Sequence, residues 1–474
     1  MNVHLALLLG YSALLIGLGL WLGRRVSGTK DFFVAGRRLG PGLIFSTMLA
    51  ANIGGGSTVG ATGLGYRDGA SAWWWVGSAG VGNVILALWI GPAIRAVAAR
   101  HDLRTVGDFL EMRYGGSVRA VVSVLLWIGS LAILAGQLIA IAWILNIVTG
   151  LPKYAGCIIG GLVITIYFSA GGLLTSAWIN VLQLTVKLGG FALAVPLALA
   201  AIGGWSGIAA IRPVSADYWN PWRGGGSGVM YLAMLGPAFV VSPGLLQKIY
   251  GARDDRAVHL GVGLNAVALL LYAAVPALMG MIARARFPAL TNHELALPML
   301  LMYGVPPIVG SLGLAAVFSA EISAADAVLF MLTTSLARDF YARFVNPGAD
   351  DRRVLAVTRG TAIGAGISGV ALAILSPTII GVLSIFYTLL GVSLFVPILA
   401  GLYTRAGTVE ALASIACGIV SVVVVQVMSA GRGLGGLTPA LAGLMAALAG
   451  FLVMRAARSL FAHRDIDGRA VEGS

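Results

Sequence analysis

Ala50-Ala51-Asn52-Ile53-Gly54-Gly55-Gly56-Ser57 interrupts an apolar segment, residues 41–66, that is otherwise long enough to cross a membrane as one helix. Each of the three glycines lowers helix stability by about 1 kcal/mol relative to alanine, so the sequence predicts that the helix opens here. Hydrocarbon cannot satisfy the freed backbone groups, and an opened turn must therefore lie inside protein or beside a water-filled cavity. Secondary transporters place their solute and ion sites at such breaks. The alternative is a glycine-rich face that packs against a neighbouring helix.

The composition indicates an integral membrane protein. Of the 474 residues, 58% are hydrophobic and only 10% are charged. Apolar runs of membrane length recur along the chain and predict about thirteen transmembrane helices. Of the 31 Lys and Arg residues, 23 fall on the loops of one side and seven on the other. This bias predicts an N-terminus outside and a C-terminus inside, in a bacterial cytoplasmic membrane, and it accounts for the formal charge of +13 without a nucleic-acid partner.

A second interruption lies five apolar segments after the first. The stretch Gly236–Gly244 contains Pro237 and Pro243, and each proline removes a helix hydrogen bond. A repeat of five segments reverses its direction across the membrane, so the two breaks predict an inverted repeat whose broken helices meet at the midplane. The predicted organisation is a first helix and inner loop in 1–40, one five-helix repeat in 41–202, the second in 203–403, and two C-terminal helices with a short inner tail in 404–474.

Several motifs resemble those of the sodium/solute symporter family, whose core has a LeuT-like inverted repeat. In chain order they are Asp31-Phe32-Phe33-Val34-Ala35-Gly36-Arg37, Ala50–Ile53, Thr105–Gly115, Tyr167–Leu173 with Trp178 and Gln183, and Ala315–Ser319. The resemblance implies an all-α, LeuT-like 5+5 membrane transporter with two discontinuous helices. It implies a symporter-type protein that moves a small organic solute by alternating access, with no enzymatic activity and no cofactor beyond Na⁺ or H⁺ as a coupling ion.

The resemblance also implies a sodium site built from backbone carbonyls of the first broken helix and the ninth span, with two hydroxyls from the ninth span. Carried over to this chain, the carbonyls and the first hydroxyl are those of Ala50, Ile53, Ala316 and Ser319. The second hydroxyl position is Ala320, and Asn180 stands where family members usually carry an acid. A hard cation held by oxygen atoms therefore loses one ligand and one nearby negative charge.

Lys187 is a candidate for the missing charge. It shares a helix face with Asn180 and Gln183, about two turns or ~10 Å farther along the sixth span. An intramembrane lysine is costly to bury and indicates a function by default. The hypothesis is that its ammonium occupies or borders the place of the sodium ion and exchanges a proton during transport. The alternatives are conventional sodium symport with a reduced sodium site, and a lysine held in a structural ion pair, for example with Glu321.

The ninth span carries further polar residues that are candidates for coupling. Ser319, Ser323 and Asp326 lie at i, i+4 and i+7 and so share one helix face. Asp326 is a candidate proton carrier or counter-ion of Lys187, whereas Glu321 points about 200° away from Ser319. Either acid could instead form a structural bridge with a basic residue.

The family resemblance also implies a substrate pocket between the two breaks, lined by polar residues and a tryptophan. Its members are Asn52, Ser57, Trp74, Gln137 and Ser242. The Trp73–Trp75 run could equally form a belt at the membrane interface. Sugar-carrying relatives have long polar side chains where this chain has Ser57 and Trp74, so a smaller or flatter solute than a hexose is expected. Besides the solute, membrane lipid is the expected partner, and the chain is expected to act as a monomer. A channel and a transporter-like sensor without flux are the other classes considered.

Overall fold

The computed structural model describes residues 3–23, 37–169, 173–213, 215–222, 228–429, 433–435 and 437–471. The family-like motif at 31–36 and residues 170–172 lie outside these ranges, and so do the side chains of Trp178 and Asn180. The described chain is helical. Its α-helices are α1 Val3–Gly23, α2 Pro41–Asn52, α3 Ala61–Asp68, α4 Trp73–Ile85, α5 Gly91–Arg100, α6 Val106–Tyr114, α7 Gly116–Thr149, α8 Lys153–Ser169, α9 Leu173–Ala201, α10 Trp205–Ala209, α11 Tyr231–Val241, α12 Pro243–Tyr250, α13 Asp255–Tyr272, α14 Ala274–Arg286, α15 Ala296–Tyr303, α16 Pro307–Thr334, α17 Asp351–Leu375, α18 Ile379–Tyr403, α19 Thr408–Met428 and α20 Pro439–Val471.

Ten helical runs in the described residues are long and apolar enough to cross a membrane. Two apolar helices, His4–Leu15 and Lys153–Ile166, are shorter. The sequence predicts about thirteen crossings. One of the three missing crossings is lost at the first break, because α2 has only 12 residues and the chain from Gly56 to Arg100 forms one helical run of 45 residues, and the other two correspond to the two shorter helices. With 12 residues, α2 is too short to span about 30 Å of hydrocarbon alone.

The first break lies where the glycines predict it. Helix α2 ends at Asn52, Ile53 adopts an extended conformation with φ −95° and ψ 94°, and helical structure resumes as a π-turn at Gly56–Gly60 that continues into α3. Side chains satisfy part of the opened backbone. The N–H of Gly54 donates to Ser57 Oγ at 2.9 Å, and the N–H of Gly55 donates to Gln137 Oε1 at 2.6 Å. An opened turn at membrane depth is stable because protein groups replace the missing helix bonds.

The second break is narrower. Helix α11 continues through Pro237 and ends at Val241, and Ser242, with φ −55° and ψ 118°, separates it from α12. Pro243 occupies the first turn of α12, where a missing N–H costs nothing. The carbonyl of Ser242 accepts the N–H groups of Leu245 and Leu246, at 3.0 and 2.9 Å. The second proline therefore sets the break, whereas Pro237 is tolerated inside a helix.

The first broken helix is enclosed by other helices. Helix α2 packs against α9, α13 and α16, and α3 packs against α14. Glycines allow these backbones to approach closely. A Cβ at Gly261 of α13 would lie 2.7 Å from Ile44 of α2, and one at Gly280 of α14 would overlap the backbone of α3. Small residues at helix contacts are the usual means of close packing in membranes, and here they fix the position of the opened turn.

A charged cluster fixes the loop helix α6 to the start of α7. Thr105 and Asp108 form a reciprocal cap at the N-terminus of α6, with bonds of 3.0 and 3.1 Å. Arg119, which is 5% exposed, pairs with Asp108 at 2.9 Å and with Glu111 at 2.6 Å. Burial raises the pKa of Glu111, but hydrogen bonds from Arg119 and Arg343 outweigh it, and the pKa lies below its usual value.

We expect the substitution Glu111→Gln to destabilise the protein by about 1–3 kcal/mol, because it leaves the buried Arg119 guanidinium with one anionic partner fewer. Since the folded-state pKa of Glu111 is lowered, its stabilising contribution is present above the unfolded-state pKa and disappears as the pH falls through the folded-state value. The measurement is thermal unfolding in detergent between pH 7 and 4. Arg113→Gln, on the exposed side of α6, is the control. Equal unfolding temperatures for both variants at pH 7 would contradict the predicted destabilisation by Glu111→Gln.

Candidate functional site

Lys187 of α9 is fully buried and reaches the opened turn of the first broken helix. Its ammonium donates to the carbonyl oxygens of Ala50 at 2.8 Å and Ile53 at 3.2 Å, and it also contacts the hydroxyl of Ser323 on α16. These carbonyls stand at the C-terminal end of α2, where the helix leaves acceptors without partners and where the dipole favours positive charge. A cation from a neighbouring helix is therefore held by the end of a half-helix.

The structure thus brings together three residues that the sequence assigned to the ion site, and it separates others from them. Ala50, Ile53 and Lys187 are in contact, with Ser323 as the hydroxyl. Ser319 instead accepts a hydrogen bond from Tyr11 of α1 at 2.7 Å and donates to the carbonyl of Gln183 at 3.4 Å. The sequence does not indicate Tyr11 as a site residue, because α1 precedes the repeat and nothing in its local sequence predicts a contact with α16.

Two alanines predicted at the ion site have structural contacts. The carbonyl of Ala320 accepts a hydrogen bond from Ser323 at 3.1 Å, and its methyl group supplies no ligand. A Cβ at Gly190 of α9 would overlap the side chain of Ala316. Ala316 therefore lies at the α9–α16 contact.

Glu321 of α16 is completely buried against the second half of the broken helix. Its Oε1 lies 2.7 Å from the hydroxyl of Thr58, and its Oε2 has no hydrogen-bond partner among the described residues. Within the described residues, no carboxylate oxygen lies within 4 Å of the Lys187 ammonium. The two groups still interact electrostatically over a longer distance. A direct Lys187–Glu321 ion pair, one alternative from the sequence, is not what the structure has.

Asp326 lies near the second broken helix. It is 5% exposed and interacts electrostatically with Lys248 of α12, whose ammonium donates to the carbonyl of Gly244 at 3.0 Å. Among the acids described, the electrostatic neighbour of Lys187 is Glu321. Ser319, Ser323 and Asp326 therefore share one helix face but interact with different helices, because those helices cross α16 at different heights. Their partners are Tyr11, Lys187 and Lys248, respectively.

A small cavity of about 40 Å³ lies beside the opened turn. That volume holds a few water molecules at most, so the site is nearly closed in this conformation. The residues that line it are Ala51, Asn52, Gly54, Gly56, Ser57, Trp75, Val76, Ala79, Ile133, Gln137, Leu235, Phe239, Leu269, Ala324, Val328 and Tyr387. None of these is an acid, a lysine, an arginine or a histidine.

Two of the predicted substrate residues lie outside this cavity. Trp74 contacts Trp73 edge-to-face and Trp222 in a tilted arrangement, with centroid distances of 5.1 and 5.4 Å, while Trp75 lines the cavity. Consecutive residues of a helix differ by about 100° in direction, so one tryptophan of the run faces inward and its neighbour cannot. Ser242 does not line the cavity either. Its carbonyl accepts the first hydrogen bonds of α12. Phe239, one turn earlier, lines it instead.

The walls of the cavity combine aromatic rings with polar atoms. Trp75 and Phe239 both contact Tyr387, with centroid distances of 6.1 and 5.4 Å. Ser57 Oγ donates to the carbonyl of Asn52 at 2.8 Å and so supports the opened backbone, as does Gln137 Oε1. The amide nitrogen of Gln137 and the hydroxyl of Tyr387 form no hydrogen bond within the described part of the chain, and both side chains face the cavity. Both therefore have hydrogen-bonding capacity left for a solute.

A relay of three side-chain amides, two of them buried, links three helices beside this cavity. Asn52 Nδ2 donates to Asn265 Oδ1 at 3.3 Å, and Asn265 Nδ2 donates to Asn83 Oδ1 at 3.0 Å. Asn83 in turn donates to the carbonyl of Ala79 at 2.8 Å. Asn52 therefore ties the end of α2 to α13 and α4, a role that the sequence did not indicate.

Known proteins resemble this chain in sequence and in fold. A profile described as "Sodium:solute symporter family" matches residues 32–418. The chain is 24% identical over 402 residues to the sodium/glucose cotransporter of Vibrio parahaemolyticus, covering 74% of this chain and 71% of that protein. It is 26% identical over 360 residues to the sodium/pantothenate symporter of Escherichia coli (strain K12), covering 70% and 71%. The solved structure of a Na⁺-coupled sialic acid symporter, in a substrate-bound outward-open state, superposes with a TM-score of 0.80 at 19% identity, covering 96% and 97% of the two chains. At that identity the structural likeness establishes the fold alone.

Proposed function

Because this chain belongs to the sodium:solute symporter family, we propose that it moves a small organic solute across a membrane by alternating access, through the cavity beside the opened turn. The observation that carries the site assignment is the cluster at residues 50–57. There an opened backbone, a buried ammonium and a cavity with unused polar groups meet. Such an arrangement is typical of the midplane sites of secondary transporters.

The proposed architecture has thirteen membrane crossings with a LeuT-like 5+5 inverted repeat and two discontinuous helices. The breaks at Ile53–Gly55 and Ser242 support it, because they lie in segments two and seven. The repeats are assigned to 41–202 and 203–403, the first helix and inner loop to 1–40, and the last two helices to 404–474. The distribution of Lys and Arg supports an N-terminus outside and a C-terminus inside. The protein is proposed to act as a monomer in a bacterial cytoplasmic membrane.

Conventional sodium coupling is the mode that the relatives support. The glucose and pantothenate transporters are named as sodium symporters, and the sialic acid symporter is described as Na⁺-coupled. In this mode sodium would use the carbonyls of Ala50, Ile53 and Ala316 with the hydroxyl of Ser319. Lys187 would then have to leave the carbonyls of Ala50 and Ile53, and Ser319 would have to leave Tyr11 and Gln183.

Sodium-independent or proton-linked transport is a second candidate, and the contacts of Lys187 favour it. Its ammonium already contacts the two carbonyls that sodium would need. The site also offers few oxygen ligands to a hard cation, since Ala320 has no hydroxyl and Asn180 stands in place of an acid. In this mode Lys187 replaces the ion, and binding and release of its proton accompany transport.

The solute is proposed to be small, at least partly flat and without net charge. A charged solute would lose its hydration in a cavity lined by no carboxylate, lysine, arginine or histidine, which is costly unless a counter-charge is present. The rings of Trp75, Phe239 and Tyr387 offer stacking surfaces, and the Gln137 amide and the Tyr387 hydroxyl offer hydrogen bonds.

The test is uptake by the full chain reconstituted in liposomes, after a thermal-stabilisation screen of amino acids, carboxylates, nucleobases and vitamins has identified a solute. Uptake is measured with a sodium gradient alone, with a proton gradient alone, and as counterflow without either gradient. Strict dependence on sodium supports sodium coupling and rejects proton-linked transport. Uptake driven by a proton gradient without sodium supports proton-linked transport and rejects sodium coupling. Saturable counterflow distinguishes a transporter from a channel. Binding without any flux would identify a sensor and refute the proposed function.

A further inference from the structure

A second cavity, of about 700 Å³, lies between the end of α9, helix α10 and the end of α14. Helices α9 and α10 both pack against α14 and so form one wall of neighbouring elements. Among the described residues that line this cavity are three arginines, Arg212, Arg284 and Arg286, and none of the others is an acid or a histidine. None of them lines the solute cavity. The volume is typical of small-molecule sites, and the charge of the lining is positive.

The three arginines of this cavity form no salt bridge with a carboxylate in the described part of the chain. Arg212 and Arg286 are exposed, whereas the half-buried Arg284 places its guanidinium 5.0 Å from the centre of the Tyr66 ring on α3. Stacking on a ring holds a guanidinium in one orientation and leaves its N–H edges free for an acceptor. Like charges at one cavity repel each other, and an anion between them relieves that repulsion.

The arginine cavity lies where two candidate membrane spans end. The spans Val181–Ala201 and Asp255–Arg286 both have their last residue in its lining. Trp205, which begins α10, is 68% exposed, and exposed tryptophans are typical of the boundary between hydrocarbon and headgroups. Leu193 and Leu197, eight and four residues before the end of α9, lie on one helix face and are exposed as well. A molecule bound here would meet cations at headgroup depth and apolar side chains at acyl depth.

Local electrostatics accounts for these arginines only in part. The dipole of α14 favours Arg284 and Arg286 in its last turn, but Arg212 reaches the same cavity from the chain that follows α10. The charge distribution assigns only seven Lys and Arg residues to this side of the membrane, and three of the seven meet at one cavity. A soluble anion would use the cations but not the apolar surface beside them. An anionic phospholipid uses both.

We propose that the arginine cavity binds the phosphate of an anionic phospholipid, such as phosphatidylglycerol, whose acyl chains lie along Leu193 and Leu197 of α9. Arginine pairs with phosphate oxygens through two parallel N–H bonds, and basic pockets between transmembrane helices bind lipid headgroups. Because Arg284 stacks on Tyr66 of α3, the bound lipid also holds α14 against the second half of the first broken helix. Lipid binding at this site does not depend on the proposed transport function.

The first experiment measures binding of dioleoyl phosphatidylglycerol to the full chain in detergent by native mass spectrometry. We expect the double variant Arg212→Gln/Arg286→Gln to bind this lipid at least about tenfold more weakly than the wild type, because two charge-assisted contacts to the phosphate are lost. Both side chains are exposed, so the fold should be retained. The control Arg256→Gln/Arg359→Gln removes the same charge from exposed positions on α13 and α17 and should bind like the wild type. Equal affinities of the two double variants overturn the proposal.

Two further arms of the same experiment identify the anion. Dioleoyl phosphatidylcholine, whose headgroup has no net charge, should bind the wild type more weakly than phosphatidylglycerol, and equal binding of the two lipids overturns the proposal. Inorganic phosphate at the concentration of the lipid should not displace phosphatidylglycerol, because it lacks the acyl chains that pack on α9. Displacement by inorganic phosphate would assign the cavity to a soluble anion and overturn the proposed lipid site.

The second experiment locates the bound lipid by amide hydrogen exchange in nanodiscs of phosphatidylglycerol or phosphatidylcholine. We expect phosphatidylglycerol to slow exchange in the peptides 202–213 and 284–292 of the wild type by about threefold or more, and to have no such effect in Arg212→Gln/Arg286→Gln. Equal exchange of these peptides in the two lipids overturns the proposed site. Neither experiment needs a solute, so a failure of the proposed transport function would be seen separately, in the liposome assay.

Discussion

Replacing Lys187 with methionine should lower solute uptake by about 100-fold or more. Methionine is of similar length but donates no hydrogen bond, so the carbonyl of Ile53 loses its donor and that of Ala50 keeps only the hydroxyl of Ser323. A buried acceptor that loses its partner costs about 1–3 kcal/mol, and the loss at Ile53 destabilises the opened turn by about that amount. Because that turn also forms the wall of the solute cavity, its displacement affects binding and translocation together.

The measurement is initial uptake by Lys187→Met in liposomes, normalised to folded protein. Thr185→Val is the matched control, because Thr185 is exposed on the same helix and its hydroxyl bonds only to Val181 of that helix, at 3.0 Å. This control should transport like the wild type. Lys187→Ala adds a second arm, since the shorter side chain leaves room for an ion at the two carbonyls. Sodium-stimulated uptake by Lys187→Ala, but not by the wild type, is expected if the lysine replaces the ion. Wild-type uptake by Lys187→Met would show that the buried ammonium has no part in coupling.

The substitution Gly54→Ala should remove most of the folded, active protein. A Cβ at this position would lie 2.7 Å from Gln137 Oε1 and still closer to the methyl group of Ala324 on α16. Ala324 is attached directly to a helix backbone and cannot move aside, so the opened turn has to shift instead. Overpacking of this kind costs about 1–3 kcal/mol. The shift also disturbs the hydrogen bond from Gly55 to Gln137, so we expect uptake to fall by about tenfold or more beyond the loss of folded protein.

The matched control for Gly54→Ala is Gly42→Ala. Gly42 lies in the first turn of α2, and a Cβ there would meet nothing within 4 Å. Alanine is the better helix former by about 1 kcal/mol, so Gly42→Ala should be neutral or stabilising. Fluorescence-detected size exclusion and thermal unfolding measure the two variants side by side. Similar yields and unfolding temperatures for both would mean that the close approach of α16 to the opened turn is not required.

Local features of the sequence predicted the breaks in the helices well. Three adjacent glycines disfavour a helix whatever surrounds them, and α2 ends two residues before the first of them. A proline can begin a helix but cannot donate within one, and Pro243 begins α12. The sequence was less accurate about Pro237, which lies inside α11. Neighbouring groups can satisfy the carbonyl that a proline leaves free in a membrane helix, and such neighbours are invisible to local patterns.

Side-chain directions were predictable only along one helix at a time. Helical spacing placed Lys187 near the depth of the first break, and in the structure its ammonium contacts the carbonyls of Ala50 and Ile53. The family resemblance chose Trp74 for the cavity, where the structure has Trp75. Spacing gives angles between residues of one helix, but the rotation of that helix relative to its neighbours is set by packing.

The sequence by itself determined that the chain crosses a membrane, where two of its helices open, and that a lysine lies at the depth of the first opening. These properties follow from composition, from glycine and proline, and from the rise of a helix, all of which are local. Only the tertiary structure decided that Glu321 meets Thr58, that Tyr11 meets Ser319, and that Asn52, Asn265 and Asn83 form one relay. The residues of these contacts are far apart in the chain, and which of them meet depends on how the helices rotate and cross, a choice made by packing and hydrogen bonding over the whole molecule.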